Sequence, residues 1–373
     1  MDQKKLIVVT LNGFAPAGLG CYGSSWNQTP HLDQLAATGS VWDRWTASSD
    51  DPLVMFKRWM EDSHWLSHWQ SHGPVELISD QPEAVNLATQ QNFDQLQLID
   101  ALEATEGPAE EIESTQFAQL VASAIERIND PEPWSVLWLH SDFLAKRWDA
   151  PRWFAESGDG ESDDVEPMDA VEQLEWEAYQ ASQEADEHAP PPPVFDQVDP
   201  PQVAIDKGTH PDLIFSWMTT YACQLRLVDE LIAVLAQSAG DATIVISGAS
   251  GMALGQNGWI GHQAGPLRSC HLRLPLIVSN GAVLRHGNIL DAGTLPQLLS
   301  QLSQTDTPVD PQQWCQTDGE FAPFVTATSA ESQAITSSRW FMVDGKHLFL
   351  KPDDVDDVND VSRLRPDVIE QLL

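Results

Sequence analysis

Positive charge is scarce in this 373-residue chain: 19 Lys and Arg stand against 56 Asp and Glu, a formal net charge of −37. Nucleic acids and anionic bilayers are gripped through Lys and Arg, so the imbalance argues against both as partners. An enzyme acting on sulfate or phosphate esters would need a local cationic pocket inside this repelling field. Solubility accounts for such a surface, and recruitment of a basic protein partner is the functional reading beside it. Cysteine is sparse too. Cys21, Cys223, Cys270 and Cys315 lie far apart with no C-x-x-C, so neither a zinc cluster nor a disulfide framework is signalled. No apolar run approaches the roughly 20 residues that cross a bilayer. The first apolar run starts at Leu6, which leaves no room for a secretory leader, so cytoplasmic residence is expected.

What the chain does have is core. Forty-two per cent of it is hydrophobic, including 15 Trp, and its length exceeds one typical domain. Leu6–Thr10 (LIVVT) is apolar without alternation, which predicts a parallel strand covered on both faces. Polar, glycine-rich chain follows from Asn12 to Gly23. Thr29-Pro30 then starts a short helix with Leu32 and Leu35 on one face and Gly39 as its stop. Pro52–His72 has helical spacing (Leu53, Phe56, Met60) up to Gly73-Pro74, and His64, His68 and His72 share one face of it. Two such His can chelate a metal, but the zinc-peptidase pattern needs Glu directly after the first, where Trp65 stands. A wet or half-buried helix face is the better reading.

Val75–Ser79 is a short strand, and Asp80–Glu113, acidic and Gln-rich, reads as surface elements. Phe117, Leu120, Val121, Ala124, Ile125 and Ile128 mark an amphipathic helix. Trp134–His140 is a second core strand. Between Arg152 and Lys207 there are sixteen Asp and Glu and no Lys or Arg, together with Pro190 to Pro193, which predicts a solvated excursion with a short helix near Glu172–Glu187. Leu213–Gln237 is the longest helical pattern, followed by strands at Ala242–Ser247 and Leu274–Ser279 and a short helix at Gly293–Gln301. Near the end, Ala334–Val343 and Lys346–Lys351 flank Asp344-Gly345, a strong hairpin signal, with a last helix near Pro366–Leu373. ISGASGMALG superficially matches a nucleotide-binding glycine loop, but it comes late, Gln256-Asn257-Gly258 breaks any helix, and no Tyr-x-x-x-Lys accompanies it.

Several of these stretches carry a family likeness. L-G-C-Y-G, T-P-H-L-D-Q-L-A-A-T-G and an aromatic strand after the first core strand, Y-A-C-Q-L-R-L-V-D-E-L-I-A-V-L, W-D-A-P and the tail K-P-D-D-V-D-D-V-N-D-V-S-R-L together resemble a sulfatase, within the alkaline-phosphatase superfamily. The resemblance implies an α/β fold: a mostly parallel sheet flanked by helices over 1–305, with the acidic excursion at about 153–206, and a small C-terminal subdomain with a hairpin and terminal helix over 306–373. It implies hydrolysis of sulfate esters with a divalent cation, usually calcium, and a formylglycine nucleophile made from Cys or Ser.

The chemistry of that family is what these residues fail to supply. A hard cation wants carboxylate oxygens. The resemblance places two Asp at the end of the first strand, where Asn12 and Gly13 stand, and Asp plus His or Asn at the later strand end, where Gly248 and Ala249 stand. Aligning the nucleophile motif, Cys or Ser then x-Pro-Ser-Arg, on Pro52 puts Asp50 at the nucleophile and Val54 at the arginine. Two remnants correspond to family site positions: His262 in G-W-I-G-H, where the family often has a Lys or His on the sulfate, and His140 at a strand end beside Asp142. The expectation is a sulfatase-like protein that is non-catalytic and binds or regulates, with no cofactor, and with Asn12 and Asp142 in a pocket for a small, anionic ligand. The alternative is a sulfuric or related ester hydrolase with a rebuilt site, in which Asp50 or Asp51 is an aspartyl nucleophile and calcium returns as cofactor.

Overall fold

The computed structural model describes residues 4–102, 107–155, 190–262, 265–279, 283–304 and 323–373. The chain opens with β1 (Leu6–Leu11), α1 (Pro30–Thr38), β2 (Ser40–Thr46), α2 (Pro52–Glu61), α3 (His64–Gln70), β3 (Val75–Ser79) and α4 (Pro82–Ala88). It continues through β4 (Gln95–Leu98), α5 (Gln116–Asn129), β5 (Val136–Ser141) and α6 (Phe143–Lys146). Next come β6 (Val203–Ala204), α7 (Leu213–Ala239), β7 (Thr243–Gly248), β8 (Ala253–Leu254), β9 (Trp259–Gly261) and α8 (Ser269–Leu272). Then follow β10 (Arg273–Leu274), β11 (Leu276–Val278), β12 (Leu284–Asp291) and α9 (Leu295–Gln304). The last elements are β13 (Phe324–Thr328), β14 (Gln333–Ser337), β15 (Trp340–Val343), β16 (His347–Leu350) and α10 (Pro366–Leu372).

The apolar runs lie together at the centre of one mixed sheet. Its order is β10-β2-β11-β7-β1-β5-β3-β4, with β12 on the far side of β2. All pairings are parallel except those of β10 and β11. β1 is buried along its whole length because helices cover both faces. Ile7, Val9 and Leu11 face α1, α5 and α7 through Leu32, Val121 and Val228. Leu6 and Val8 face α2, α3 and α9 through Phe56, Trp65 and Leu298. A four-stranded antiparallel sheet, β13-β14-β15-β16, closes the C-terminal end, with Val368 of α10 packed on Trp340, Met342 and Leu348.

Three expectations need correction. Pro52–His72 is two helices, because Asp62 turns extended and its carboxylate accepts the His64 amide at 3.2 Å, restarting the chain without a glycine or proline. His64 and His68 stand on α3, His72 lies beyond it, and His68 Nδ1 is 2.6 Å from Ser300 Oγ. Ala334–Val343 is likewise two strands: Ser337 Oγ accepts the Trp340 amide at 3.0 Å and folds the chain back, while Asp344-Gly345 (φ 53° and 61°) makes the next turn. Asp80–Glu113 is more than surface, since it contributes α4 and the edge strand β4. The proposed helix at Glu172–Glu187 lies outside the described residues. Residues 190–206 are docked: Phe195 stacks on Trp217 at 3.9 Å and β6 pairs with β9.

Candidate functional site

The carboxyl ends of β3, β5, β1 and β7 stand side by side and bring Asp80, Asp142, Asn12 and Gly248 to one edge of the sheet. This edge is where open α/β sheets hold ligands. The Asn12 amide donates to Ser141 O at 2.9 Å and the Ala249 amide to Leu11 O at 2.8 Å, so the three central strand ends are tied together. Asn12 is buried, and among the described residues its Oδ1 has no hydrogen-bond partner.

Its neighbours have closed in. Gly13 sits at φ +77°, and a Cβ there would lie 3.2 Å from the backbone of Leu144 and Ala145 at α6. The Gly13 amide donates to Ser250 Oγ at 2.9 Å, and its carbonyl accepts from the Tyr221 hydroxyl at 2.7 Å. A Cβ on Gly248 would meet Pro275 Cδ at 3.1 Å and Leu274 Cβ at 3.3 Å. Ala249 is buried in the core on the Trp138 side of the sheet. Among the described residues, no three His, Cys, Asp or Glu side chains converge as a metal centre needs. One amide oxygen does not make a calcium site, so the donor set does not fit the cation that the sulfatase likeness implies.

His140 is occupied inside the protein. It is fully buried, 4.3 Å from the Phe56 ring between centroids. Its Nε2 lies 2.9 Å from Gln81 Oε1 and its Nδ1 2.8 Å from Thr10 Oγ1, so each ring nitrogen has a hydrogen-bond partner inside the protein. Trp138 Nε1 donates to the same Thr10 hydroxyl at 2.8 Å. Burial pushes the imidazole down to about 3, so the ring is neutral. Both nitrogens are committed, and neither faces a substrate.

Asp80 and Asp142 form the carboxyl pair of this edge. Ser141 Oγ and the Asp142 amide donate to Asp80 at 2.6 and 3.1 Å. Burial pushes Asp80 up to about 6, and burial followed by the charge of Asp80 pushes Asp142 up to about 7. Asp80 went unrecognised in the sequence because it opens a polar stretch. The available signal was its place directly after the strand VELIS.

A raised carboxyl contributes stability that is present below its unfolded value of 3.8 and is lost as pH rises through the folded value of about 7. Buried His140 and His271, pushed down to about 3 and about 4, act oppositely and weaken the fold as pH falls below 6.5. Asp142→Asn is therefore expected to gain Tm relative to wild type as pH climbs from 4 to 8, with no gain at the acid end. Paired thermal melts across that range check it, and a difference independent of pH would refute the assignment.

Asp50 and Asp51 divide their roles. Asp51 caps α2, accepting the Leu53 amide at 2.8 Å. Asp50 is half-buried, its carboxyl raised by burial and drawn back by the charge of His262. His262, exposed, lies against His271 with ring centroids 5.0 Å apart and planes tilted by 44°. The structure thus brings Asp50 within the electrostatic reach of His262, joins Asn12 to the Asp142 strand end, and turns His140 into the core.

Solved structures share this architecture over the whole chain. A protein solved in complex with its substrate D-glucosamine-2-N,6-O-disulfate aligns with a TM-score of 0.69 at 13% identity, covering 100% of this chain and 97% of its own. The phosphonate monoester hydrolase of Agrobacterium radiobacter gives 0.67 at 13% identity, covering 99% and 93%. A 2-O GAG sulfatase gives 0.63 at 9% identity, covering 100% and 90%. No protein-family model matches the sequence, and no curated protein matches it. At these identities the likeness is one of fold.

Proposed function

We propose that this chain, which has the fold of sulfatases and related members of the alkaline-phosphatase superfamily, is a non-catalytic binding protein built on that fold. One observation carries the proposal: at Gly13 and Gly248, where the resemblance calls for metal-binding side chains, even a Cβ would press on the backbone of Leu144 and Ala145 or on Pro275 and Leu274. Carboxylates at those positions would need their neighbours to move, and Asn12 alone is a weak substitute for a hard-cation ligand set. The groups left at the strand ends are acceptors and carboxyls: Asn12 Oδ1, Asp80 and Asp142. They suit a small molecule rich in hydroxyl or amine donors better than the anionic ligand expected from the resemblance.

A second reading is favoured by Asp50, half-buried beside His262 at the family's nucleophile position: an ester hydrolase with a rebuilt site. One pair of measurements separates the two. Thermal melts of the purified protein with calcium and with EDTA are expected to coincide, and an aryl sulfate is expected to show no turnover. A saturable calcium-dependent rise in Tm, or turnover abolished by Asp50→Asn, would establish the hydrolase instead.

A further inference from the structure

A cavity of about 350 Å³ lies between strand β2, strand β10 and the C-terminal sheet, lined in part by Arg44, Thr46, Ser269, Arg273, Thr336 and Lys351. The sheet register concentrates charge there. Arg273 of β10 is the antiparallel partner of Thr46, and Arg44 lies two residues back along β2, on the same face as Thr46. The two arginines are therefore diagonal neighbours on one face. In a chain with 19 cationic against 56 acidic residues, such a pairing is unexpected on composition alone.

No carboxylate among the described residues pairs directly with it, although Asp43, which also lines the cavity, acts on Arg273 through space. Arg44 donates to the carbonyls of Ser337 and Ser338 at 2.6 and 2.7 Å, and Arg273 donates through Nε to the Asp43 carbonyl at 3.0 Å. Among the described residues, neither guanidinium has a carboxylate within ion-pair distance. The nearby acids are engaged elsewhere. Arg285 holds Asp43 through two bonds of 2.6 and 3.1 Å, and Lys351 with Ser269 holds Asp357. Asp356, exposed, acts on Arg273 and Lys351 only through space. Among the described residues the two terminal nitrogens of Arg273 have no acceptor, which leaves a fork that matches an oxyanion. Burial lowers the pKa of Arg44, and the charge of Arg273 lowers it further, as expected for two guanidinium groups facing one cavity.

We propose that this cavity binds the oxyanion group of a small metabolite, a phosphate, sulfate or carboxylate, gripped by Arg273 and Arg44 with the Thr46 and Thr336 hydroxyls beside them. The site is separate from the strand-end edge and does not depend on the reading given for it. At about 350 Å³ it exceeds a bare inorganic ion and falls at the small end of metabolite pockets.

Calorimetric titration of the full-length chain at low salt tests this with two probes, inorganic phosphate and glucose 6-phosphate. Saturable binding of glucose 6-phosphate is expected, tighter than that of inorganic phosphate. It should weaken at least about tenfold in Arg273→Met and partially in Arg273→Lys, which keeps the charge but loses the fork. Arg365→Met, at an exposed arginine paired with Asp367, should bind as wild type does. Far-UV circular dichroism checks folding. If Arg273→Met fails to fold, Arg273→Lys carries the same comparison. Absence of saturable heat from either probe, or equal binding by wild type and the Arg273 variant that folds, would overturn the proposal. Tighter binding of inorganic phosphate than of the sugar phosphate would overturn the assignment to a metabolite.

Discussion

Trp138→Ala is expected to destabilise the fold by about 4 kcal/mol, the upper part of the range for large-to-small changes in a core. Trp138 is fully buried in the middle of β5, with ring centroids 5.3 Å from Trp65, 5.8 Å from Phe56 and 6.1 Å from Trp59. Those partners sit on α2 and α3, so truncation opens a cavity where two helices meet the sheet and neither can collapse freely into it. The indole also donates to the Thr10 hydroxyl that supports neutral His140. Trp138→Phe, which keeps most of the volume and removes the donor, should lose about 1–2 kcal/mol. Urea unfolding of the pair measures both, and a loss below about 2 kcal/mol for the alanine variant would mean that the cluster repacks.

The second large effect concerns the C-terminal sheet. Lys351 and Asp357 form an ion pair at 2.7 Å with side chains 8% and 0% exposed. The ammonium also donates to the carbonyls of Asp354 and Val355, and Asp357 accepts the Ser269 amide and hydroxyl at 2.8 and 2.7 Å. Breaking a buried pair strands the remaining charge, so Lys351→Met should cost about 3–5 kcal/mol. Asp357 adopts φ 57°, a conformation asparagine tolerates well. Adding Asp357→Asn to Lys351→Met removes the stranded carboxylate and keeps a side-chain acceptor for Ser269, so the double variant should recover part of the loss. A double variant no more stable than the single one would refute the stranded-charge account.

The parts of this fold legible in the sequence are those whose burial leaves a pattern. β1, β5 and β7 read as strands because both faces are covered, and α5 and α7 because one stripe is. Breaks made by side chains were not legible: Asp62 and Ser337 end their elements by capturing a backbone amide, with no glycine or proline to announce it. β4 (QLQL) escaped notice because an edge strand with exposed residues lacks an apolar run. At the candidate site, Asn12, Gly13, Gly248 and Ala249 could be located by the family likeness, whereas the Asp80–Asp142 pair required knowing that β3 lies beside β5. His140 illustrates the limit from the other side. Its strand-end position suggested access to substrate, and only Gln81 and Thr10 reveal that it faces inward.

The close approach of α6 to Gly13 dictates an order of operations for anyone converting this scaffold into a metalloenzyme. Asn12→Asp alters no heavy-atom shape and could be installed first. An acidic side chain at position 13 would need the Leu144–Ala145 backbone to give by a few tenths of an ångström, because its first carbon would stand 3.2 Å from that backbone, and its φ of +77° is a conformation that side chains other than Asn and Asp rarely adopt. A productive library must vary the Phe143–Lys146 turn together with position 13.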